Sequence, residues 1–435
     1  MFLLSLPDPL FDPYYSPVLE DREGRLLGAL AAFDGQWRFP PGKILNEKFT
    51  AALIQAEDRR FRFHPGIDPL ALCRALVQNI RAQRTVSGAS TLTMQTIRLA
   101  RSAKGRAPRR GLFEKAVEAV LALRLELACS KDEILALYAA NAPFGGNVVG
   151  LEAASWRWFG REAEDLSWAE AAVLAVLPNS PGLIHPGRNR ERLKAKRDAL
   201  LDKLAAQGRF DQETLALAKA EALPGNPLPL PQEAPHLLAR LMREHGGLAA
   251  FKASASPKYA GRFRTTLDLG VQERARLIME RAAGRFAGNG ILNGACLIIH
   301  TPTGETAAYV GNVDSPSAGA VDLISTARSS GSLLKPFLYA AMLDSGDLLP
   351  AALVSDIPTR MGSYSPENIS RNYLGAVPAD EALARSLNIP AVRSLRVYGV
   401  ARFARLLRGL GLTTLFRRSE DYGLPLILGG AEVTL

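Results

Sequence analysis

Residues 166–181, LSWAEAAVLAVLPNSP, carry the pattern that decides the fold of the first half of the chain. Ser167 and Glu170 are spaced as a capping box, in which each side chain accepts a hydrogen bond from the other residue's backbone N–H. The alanines and leucines that follow recur at helical spacing, with few β-branched residues, as far as Pro178. This segment therefore predicts an apolar helix that begins after Ser167.

The same pattern extends on both sides of this segment. Between residues 46 and 223, alanine and leucine keep helical spacing, and Ser130 with Glu133 forms a second capping box. These features predict an all-helical domain over residues 46–223. Residues 1–45 form a lead-in segment, whose apolar start before Pro7 is too short to span a membrane and lacks the basic flank of a signal peptide.

The second half of the chain has a different pattern. Five prolines lie between residues 224 and 235, where a helix cannot continue, so we predict a linker over residues 224–261. RFRTTLDL, from residue 262, predicts a strand before a helix, and residues 294–312 predict two strands joined by a turn. We therefore expect a mixed α and β domain over residues 262–435. Its last residues, LGGAEVTL, resemble the start of another helix, so we expect this domain to be C-terminally truncated.

The composition excludes several classes of protein. The 435 residues are 47% hydrophobic and 22% charged, which excludes a disordered or fibrous chain and suffices for more than one core. The net charge of +10 predicts an anionic partner, which leaves nucleic acid, anionic lipid and phosphorylated substrates open. The three cysteines are far apart, so we expect buried small apolar side chains rather than a disulfide framework or a zinc site: Cys73, Cys129 and Cys296.

The segment QAEDRRFRFHPGIDP, residues 55–69, crowds Glu57, Asp58, His64 and Asp68 together. Glu57 follows the apolar stretch AALIQA, and a carboxyl group at the edge of a core can have its pKa raised into the range useful for general acid or base catalysis. The alternative is a solvated helix end beside a histidine with satisfied hydrogen bonds.

A second carboxylate lies on the helix predicted from KAVEAVLALRLE, residues 115–126. Glu118 falls on the same face as Ala122 and Leu125, so we predict that it lies on the inner side of an apolar helix. The alternative is a surface carboxylate paired with Lys115. Glu57 and Glu118 together would allow a site with two carboxylates, although their spacing alone does not establish one.

Hydroxyl and basic residues lie between these two carboxylates. SGASTLTMQTIRL, residues 87–99, can present hydroxyl donors to a phosphate or sugar, although such a loop also serves as ordinary helix capping. Residues 98–110 contain six basic residues and no acid, which predicts either a solvated loop or an electrostatic contact with phosphates or a membrane surface. Because no aromatic residues interleave there, nucleic acid is disfavoured as a partner.

The second domain contains the pattern of a serine acyl-enzyme. In SGSLLKPF, Ser332 and Lys335 lie one helical turn apart, so a lysine with a lowered pKa can take the serine proton for attack on an acyl carbon. S-x-x-K alone is very common. The S-x-x-K motif becomes more significant because RSLNIPAV follows it, and Ser386 and Asn388 of that segment form the S-x-N triplet of penicillin-recognising enzymes.

The order of these motifs is more specific than any one of them. EDRRFRFHPG, GASTLTMQ, KAVEAVLALRLE, KDEILALYAANAPFGGNVVGLEAAS and LSWAEAAVLAVLPNSP resemble the five successive motifs of the family 51 peptidoglycan glycosyltransferases. Followed by S-x-x-K and S-x-N, they make the chain similar to class A penicillin-binding proteins from about Val18 onward. The resemblance implies a multidomain protein, with an all-α, lysozyme-like glycosyltransferase domain before an incomplete α+β transpeptidase domain.

The resemblance also implies roles for individual residues. Glu57 would be the general base in the polymerisation of lipid II. Glu118 would help the pyrophosphate to leave, with or without a divalent metal such as Mg²⁺ or Mn²⁺. In the second domain Ser332 would be the acyl nucleophile and Lys335 its base, with Ser386 and Asn388 relaying protons. The expected substrate-binding residues are Asp58, His64, Ser90, Thr91, Gln95 and Lys115.

The implied partners are lipid II, the growing glycan strand, stem peptides, β-lactams and the membrane surface. The implied location is the periplasmic side of the bacterial inner membrane, with the anchor helix outside this chain. The rival functions are a lytic transglycosylase and a non-catalytic cell-wall scaffold.

Three departures from the family pattern lead to further expectations. Glu114 replaces a non-acidic residue and places a like charge near Glu118, which would raise the pKa of Glu118. Asn141 lies one place later than the usual asparagine after Tyr138. The third transpeptidase element, K-[ST]-G, is absent from the sequence, so we expect no peptide crosslinking by this chain.

Overall fold

The structure, a computed structural model, describes residues 5–42, 45–82, 90–103, 111–178, 189–252, 261–313 and 319–435. The chain divides into two compact units, Met1–Arg274 with Ile299–Tyr309, and Ala275–Ile298 with Val310–Leu435. The proline-rich segment after residue 223 belongs to the first unit. The domain boundaries drawn from the sequence stay a prediction.

The elements found in the described part of residues 46–223 are helical, as the sequence predicts. Short 3₁₀ helices at Phe61–Phe63 and Ala163–Asp165 lie between the α-helices. The α-helices are α1 (Glu47–Glu57), α2 (Pro69–Ala82), α3 (Leu92–Ala103), α4 (Leu112–Ala128), α5 (Lys131–Asn141), α6 (Leu151–Phe159), α7 (Trp168–Val176), α8 (Arg190–Ala206) and α9 (Gln212–Ala220).

Helix α7 lies in the core of the first unit. Both predicted capping boxes form, at Ser130 before α5 and at Ser167 before α7. Residues 169–176 are all buried, as expected for a helix that is apolar on every side. Helices α1 and α8 pack against α7, so the carboxyl end of α1 is fixed by the core.

A small sheet joins the lead-in segment to residues after the proline-rich segment. Strand β1 (Val18–Glu20) pairs antiparallel with β2 (Leu26–Ala29) and parallel with β3 (Arg262–Arg264). Strand β3 confirms the strand predicted from RFRTTLDL, whereas nothing in the sequence analysis predicted β1 and β2. Helix α10 (Pro235–Glu244) packs against β2.

The rest of the chain mixes helices and short strands, as predicted. Strands pair as β4 with β5, β6 with β9 and β7 with β8. The elements are α11 (Leu269–Phe286), β4 (Cys296–His300), β5 (Glu305–Val310), β6 (Arg328–Ser329), α12 (Lys335–Asp344), β7 (Leu353–Asp356), β8 (Gly375–Pro378), α13 (Ala379–Ala384), α14 (Asn388–Tyr398), α15 (Val400–Gly409), α16 (Ser419–Tyr422) and β9 (Glu432–Val433).

Helix α14 lies in the core of the second unit. It packs against α12, α15 and β7, with Ile389, Val392 and Leu395 fully buried. The amino-terminal ends of α12 and α14 carry the S-x-x-K lysine and the S-x-N asparagine respectively.

Two sequence predictions are wrong. The last residues do not start a helix, because a 3₁₀ helix at Leu424–Leu428 ends at Gly429 and strand β9 then pairs with β6. Cys73 is exposed on α2 rather than buried, while Cys129 and Cys296 are partly buried and all three are free. Within the described residues, no helix is both long and apolar enough to cross a membrane.

Candidate functional site

The last turn of α1 places Glu57 at the edge of the core. Asn46 caps the start of this helix by accepting a hydrogen bond from the Phe49 N–H at 2.9 Å. Glu57 is the last helical residue, and its Oε2 accepts a hydrogen bond from Gln95 Nε2 on α3 at 2.9 Å. The carboxylate orientation is therefore set by two helices.

Asp58 ties the end of α1 to the start of α3. Its carboxylate lies 3.0 Å from His64 Nε2 and accepts a hydrogen bond from the Leu92 N–H at 3.0 Å. Because the Gly66 N–H donates to His64 Nδ1 at 3.2 Å, the proton of the neutral ring lies on Nε2 and is donated to Asp58. Asp58 and His64 are both buried, so this pair fixes the loop that follows Glu57.

Gly66 lets the loop after Glu57 lie against α4. Its φ is +94°, and a Cβ there would lie 2.9 Å from the Ala122 carbonyl oxygen, so the close approach requires glycine. The Thr91 hydroxyl donates to the Gly66 carbonyl at 2.6 Å and accepts from the Met94 N–H at 3.2 Å, which caps the first turn of α3. Thr91 thus has the capping role that was the alternative to substrate binding.

A cleft of about 670 Å³ opens beside Glu57. Four of the predicted site residues line it: Glu57, Asp58, Ser90 and Thr91. Basic side chains also line it: Arg59, Arg60, Arg74 and Lys203. Arg60 forms an ion pair with Asp68. Burial alone would raise the pKa of Asp68, but Arg60 and the Ala71 N–H hold that pKa below its ordinary value.

A second cleft, of about 780 Å³, is also lined by Arg59. Arg62, Arg209 and the exposed ring of Phe63 also line this cleft. Arg59 therefore lies on the walls of both clefts, beside the end of α1.

Three predicted substrate-binding residues lie outside the wall of the first cleft. His64 is buried against Asp58, and Gln95 reaches the site only through its bond with Glu57. Lys115 is exposed on the first turn of α4.

Glu118 is buried on the inner side of α4, with 2% of its surface exposed. Its partner is not Lys115, as the surface alternative required, but Arg98 on α3. Arg98 donates from Nε to Oε1 at 2.9 Å and from Nη2 to Oε2 at 2.7 Å, and these bonds raise the pKa of Arg98. Arg98 Nη2 also lies 3.4 Å from Ser90 Oγ, which connects Glu118 to the wall of the first cleft.

The start of the basic run is helical, which corrects its prediction as one continuous loop. Residues up to Ala103 belong to α3, while residues 104–110 lie outside the described part of the chain. Arg101 pairs with Glu114 on α4 at 2.7 Å. The negative charge of Glu114 is therefore balanced by Arg101.

The second unit brings together three of its four predicted catalytic residues. Lys335 is 1% exposed, and its Nζ donates to Ser386 O at 2.7 Å, Ser386 Oγ at 3.2 Å and Asn388 Oδ1 at 2.7 Å. Burial lowers the pKa of Lys335 to about 8. Ser332 is exposed one turn earlier, and its carbonyl accepts from the Lys335 N–H at 3.1 Å.

Ser386 adopts a left-handed backbone conformation, with φ of +53°. The Ser386 N–H donates to Leu383 O at 2.8 Å and the Leu387 N–H to Ala382 O at 2.9 Å, which is the Schellman pattern at the end of α13. Glycine usually occupies this position, so a serine there costs about 1 kcal/mol. The turn points the Ser386 carbonyl and hydroxyl at Lys335.

Comparison with known proteins assigns the chain to a family. Residues 26–205 match the family described as Transglycosylase. Penicillin-binding protein 1C of Escherichia coli is 38% identical over 434 residues, which are 99% of this chain and 54% of that protein. The first unit therefore contains a domain of the Transglycosylase family, and the chain as a whole is similar to class A penicillin-binding proteins. Penicillin-binding protein 1F of Bacillus subtilis is 29% identical, over 88% of this chain and 52% of that protein.

The chain spans about half the length of the curated relatives it matches. The assignment confirms the fold class, a helical transglycosylase domain followed by a sheet-containing domain. It also confirms the similarity to penicillin-binding protein 1C that the sequences STLTMQ, APFGG and SLNIPAV indicate. A crystal structure of penicillin-binding protein 1A from Haemophilus influenzae aligns over 98% of this chain and 67% of that chain, with a TM-score of 0.44 and 16% identity, and this likeness adds nothing to the assignment.

The described side chains do not fit a divalent metal at Glu118. Both Glu118 oxygens accept from Arg98, which already neutralises the carboxylate. Among the described residues, no three His, Cys, Asp or Glu side chains are grouped to hold a metal ion. We therefore assign no step to a metal.

Sequence reasoning missed several residues around the first cleft. Arg74 and Lys203 line it from α2 and α8, and nothing in their local sequence indicates this. Burial, and then the charge of the Glu57 carboxylate, raise the pKa of the buried Tyr138 above its ordinary value. The displaced Asn141 donates to Leu137 O on its own helix at 2.9 Å.

Proposed function

We propose that the first unit is a peptidoglycan glycosyltransferase that polymerises lipid II. The observation that carries this proposal is the position of Glu57 in the wall of a cleft also lined by Arg59, Arg74 and Lys203. A carboxylate beside several cations suits a reaction in which a hydroxyl group loses a proton while a pyrophosphate leaves. The Transglycosylase match and the penicillin-binding relatives support this function.

Glu57 acts as the general base in this reaction. It takes the proton of the acceptor sugar 4-hydroxyl, whose oxygen bonds to the anomeric carbon of the growing chain. The bond from that carbon to the lipid pyrophosphate breaks on the opposite face, so the anomeric configuration inverts. Gln95 restricts rotation of the Glu57 carboxylate, which reduces the entropy cost of reaching the reactive geometry.

The two clefts that share Arg59 provide room for two lipid-linked substrates. Arg59, Arg74 and Lys203 line the first cleft and would bind the departing pyrophosphate. Arg98 and Glu118 support the Ser90 side of that cleft from behind. Glu118 would stabilise the departing pyrophosphate indirectly, by holding Arg98 in place.

The second unit has the chemistry of a penicillin-binding domain, in which Ser332 attacks an acyl carbon of a stem peptide or β-lactam. The neutral form of Lys335 takes the Ser332 proton, the C–N amide bond at the attacked acyl carbon breaks with its nitrogen leaving protonated, and the acyl group is then held as a serine ester. The donors of Lys335 are directed at Ser386 and Asn388, so deprotonation frees a lone pair on a lysine whose position is already fixed. The absence of peptide crosslinking stays a prediction.

The lowered pKa of Lys335 predicts a pH dependence for acylation of Ser332. Below pH 8 the ammonium form dominates and has no lone pair, so the rate should rise about tenfold per pH unit and level off above about pH 8. The measurement is the initial rate of labelling by a fluorescent penicillin between pH 6 and 9.5. A rate that does not change over this range would exclude Lys335 as the base.

We propose that the glycosyltransferase domain, in the first unit, works at the periplasmic surface of the bacterial inner membrane. The basic sequence after Ala103 contains Lys104, Arg106 and Arg109, each of which would contribute roughly 1 kcal/mol on an anionic surface at low salt. Arg101 is left out of this group, because Glu114 already neutralises it.

Changing Lys104, Arg106 and Arg109 to glutamine is expected to weaken binding to anionic vesicles by about a hundredfold at low salt, with a smaller effect at high salt. Vesicle co-sedimentation with increasing phosphatidylglycerol content measures this. The matched control replaces three exposed arginines of α11, Arg274, Arg281 and Arg285, and should change binding less. Equal losses in the two variants would contradict a specific role for the basic segment.

The products formed from lipid II test the proposed function against its rivals. A glycosyltransferase should convert labelled lipid II to polymer that a moenomycin-type inhibitor suppresses. A lytic transglycosylase should leave lipid II unchanged and shorten preformed glycan strands. A non-catalytic scaffold should bind either substrate without changing it.

A further inference from the structure

Three groups of Asn388 are hydrogen-bonded within the second unit. Its Oδ1 accepts from Lys335 Nζ at 2.7 Å, and its Nδ2 donates to the Glu367 carbonyl at 2.9 Å. Because Nδ2 can only donate and Oδ1 can only accept, the Glu367 carbonyl determines which end of the amide faces Lys335. The orientation of Asn388 therefore depends on the segment that contains Glu367.

The backbone of Asn388 depends on the same segment. Asn368 Oδ1 accepts from the Asn388 N–H at 3.0 Å and from the Ile389 N–H at 3.3 Å, at the first turn of α14. These N–H groups have no partner within the helix, and Leu387, at the N-cap position, makes no side-chain capping bond. Asn368 thus caps α14 from another part of the chain.

Asp356 holds Asn368 in turn. It is fully buried at the end of β7, where its Oδ1 accepts from Asn368 Nδ2 at 2.7 Å and its Oδ2 accepts from the Leu374 N–H at 2.9 Å. Burying a carboxylate is costly unless it is hydrogen-bonded, and both oxygens of this one are used to close the loop 368–374. Asn368 itself is 3% exposed.

We propose that Asp356 and Asn368 are positioning residues for the serine–lysine site, which fix the Asn388 amide so that its oxygen faces Lys335. Neither residue belongs to S-x-x-K or S-x-N, and neither touches Lys335 in the hydrogen bonds described above. The chain of contacts runs from Asp356 through Asn368 to Asn388. This inference rests on the proposed acyl-transfer function of the second unit.

Exchanging the two side chains tests the contact directly. Asn368→Asp places two carboxylates at hydrogen-bonding distance in a buried site, which is repulsive. In the native chain, Asn368 Nδ2 and the Leu374 N–H each donate to a separate oxygen of Asp356. Asp356→Asn leaves a single acceptor oxygen for these two donors. In the double variant, the new amide at position 356 can donate to the new carboxylate at position 368, whose oxygens still accept from the start of α14.

Two measurements on the full chain separate positioning from plain structural support. The first is the side-chain amide NMR signal of Asn388 in asparagine-labelled protein, identified by its loss in Asn388→Ser. The second is the initial rate of acylation by a fluorescent penicillin, corrected for the folded fraction. Asn372→Ala is the control, because that exposed side chain lies on the same loop and its backbone carbonyl, which accepts from Asn368, is kept.

Each single variant should shift the Asn388 signal and lower the acylation rate about tenfold or more, and the double variant should recover both. An unchanged Asn388 signal in the folded single variants would overturn the proposal, as would a shifted signal with an unchanged acylation rate. If the native chain takes up no penicillin while the Asn388 signal responds as expected, the acyl-transfer function fails and the hold of Asn368 on Asn388 stands.

Discussion

Replacing Glu57 with glutamine is expected to lower the rate of lipid II polymerisation by roughly 10² to 10⁴ while the helical unit stays folded. The amide has nearly the same shape as the carboxylate and can still bond to Gln95, but it cannot take the proton of the acceptor hydroxyl. The loss should therefore fall on turnover rather than on substrate binding. Initial rates over a range of lipid II concentrations measure the two effects separately.

Glu213→Gln is a suitable control for this experiment. It makes the same chemical change at an exposed position in the first turn of α9, so the polymerisation rate should be unchanged. If Glu57→Gln retains more than about a tenth of the native rate, Glu57 is not the general base.

Breaking the ion pair between Arg98 and Glu118 is expected to have the second largest effect. Arg98→Met leaves a buried carboxylate without its partner, which should destabilise the first unit by about 2 kcal/mol, a figure reduced because the Arg98 side chain is 42% exposed. Arg98→Met and Glu118→Met should each lower the polymerisation rate roughly a hundredfold if the pair stabilises the departing pyrophosphate.

The double variant distinguishes catalysis from stability. Arg98→Met with Glu118→Met replaces both charges with apolar side chains and should regain most of the lost stability, as measured by denaturant unfolding. If the pair acts on the substrate, this stable variant stays slow. A double variant with native activity would remove Glu118 from the mechanism.

The pair Arg101 and Glu114 provides a matched control for this cycle. It bridges the same two helices, α3 and α4, and it is partly buried. Changing both residues to methionine should affect unfolding but leave polymerisation within about threefold of the native rate, because neither residue lines the cleft beside Glu57.

Local sequence was sufficient to predict those features whose interactions are themselves local. Ser130 with Glu133, and Ser167 with Glu170, form their capping boxes within four residues of chain, so the spacing alone predicted both. The inner position of Glu118 also followed from helical periodicity. Its partner did not, because Arg98 lies on a different helix and only tertiary packing brings it closer than Lys115.

Interactions between distant segments account for most of what the sequence did not predict. Strands β1 and β9 each pair with segments far away in the chain, and short strands of this kind have no distinctive local pattern. The cap that Asn368 provides for α14 likewise depends on a loop whose path Asp356 fixes. The proposed catalytic residues were recognisable because their motifs are local, whereas the residues proposed to position them are dispersed.

Gel analysis of products formed from fluorescent lipid II tests the central claim most directly. The 435-residue chain is incubated with the substrate, with and without a moenomycin-type inhibitor, and the products are then treated with a muramidase. We predict a ladder of glycan polymers that the inhibitor prevents and the muramidase degrades. Lipid II that stays unpolymerised by folded protein, or shortening of preformed glycan strands, would contradict the account.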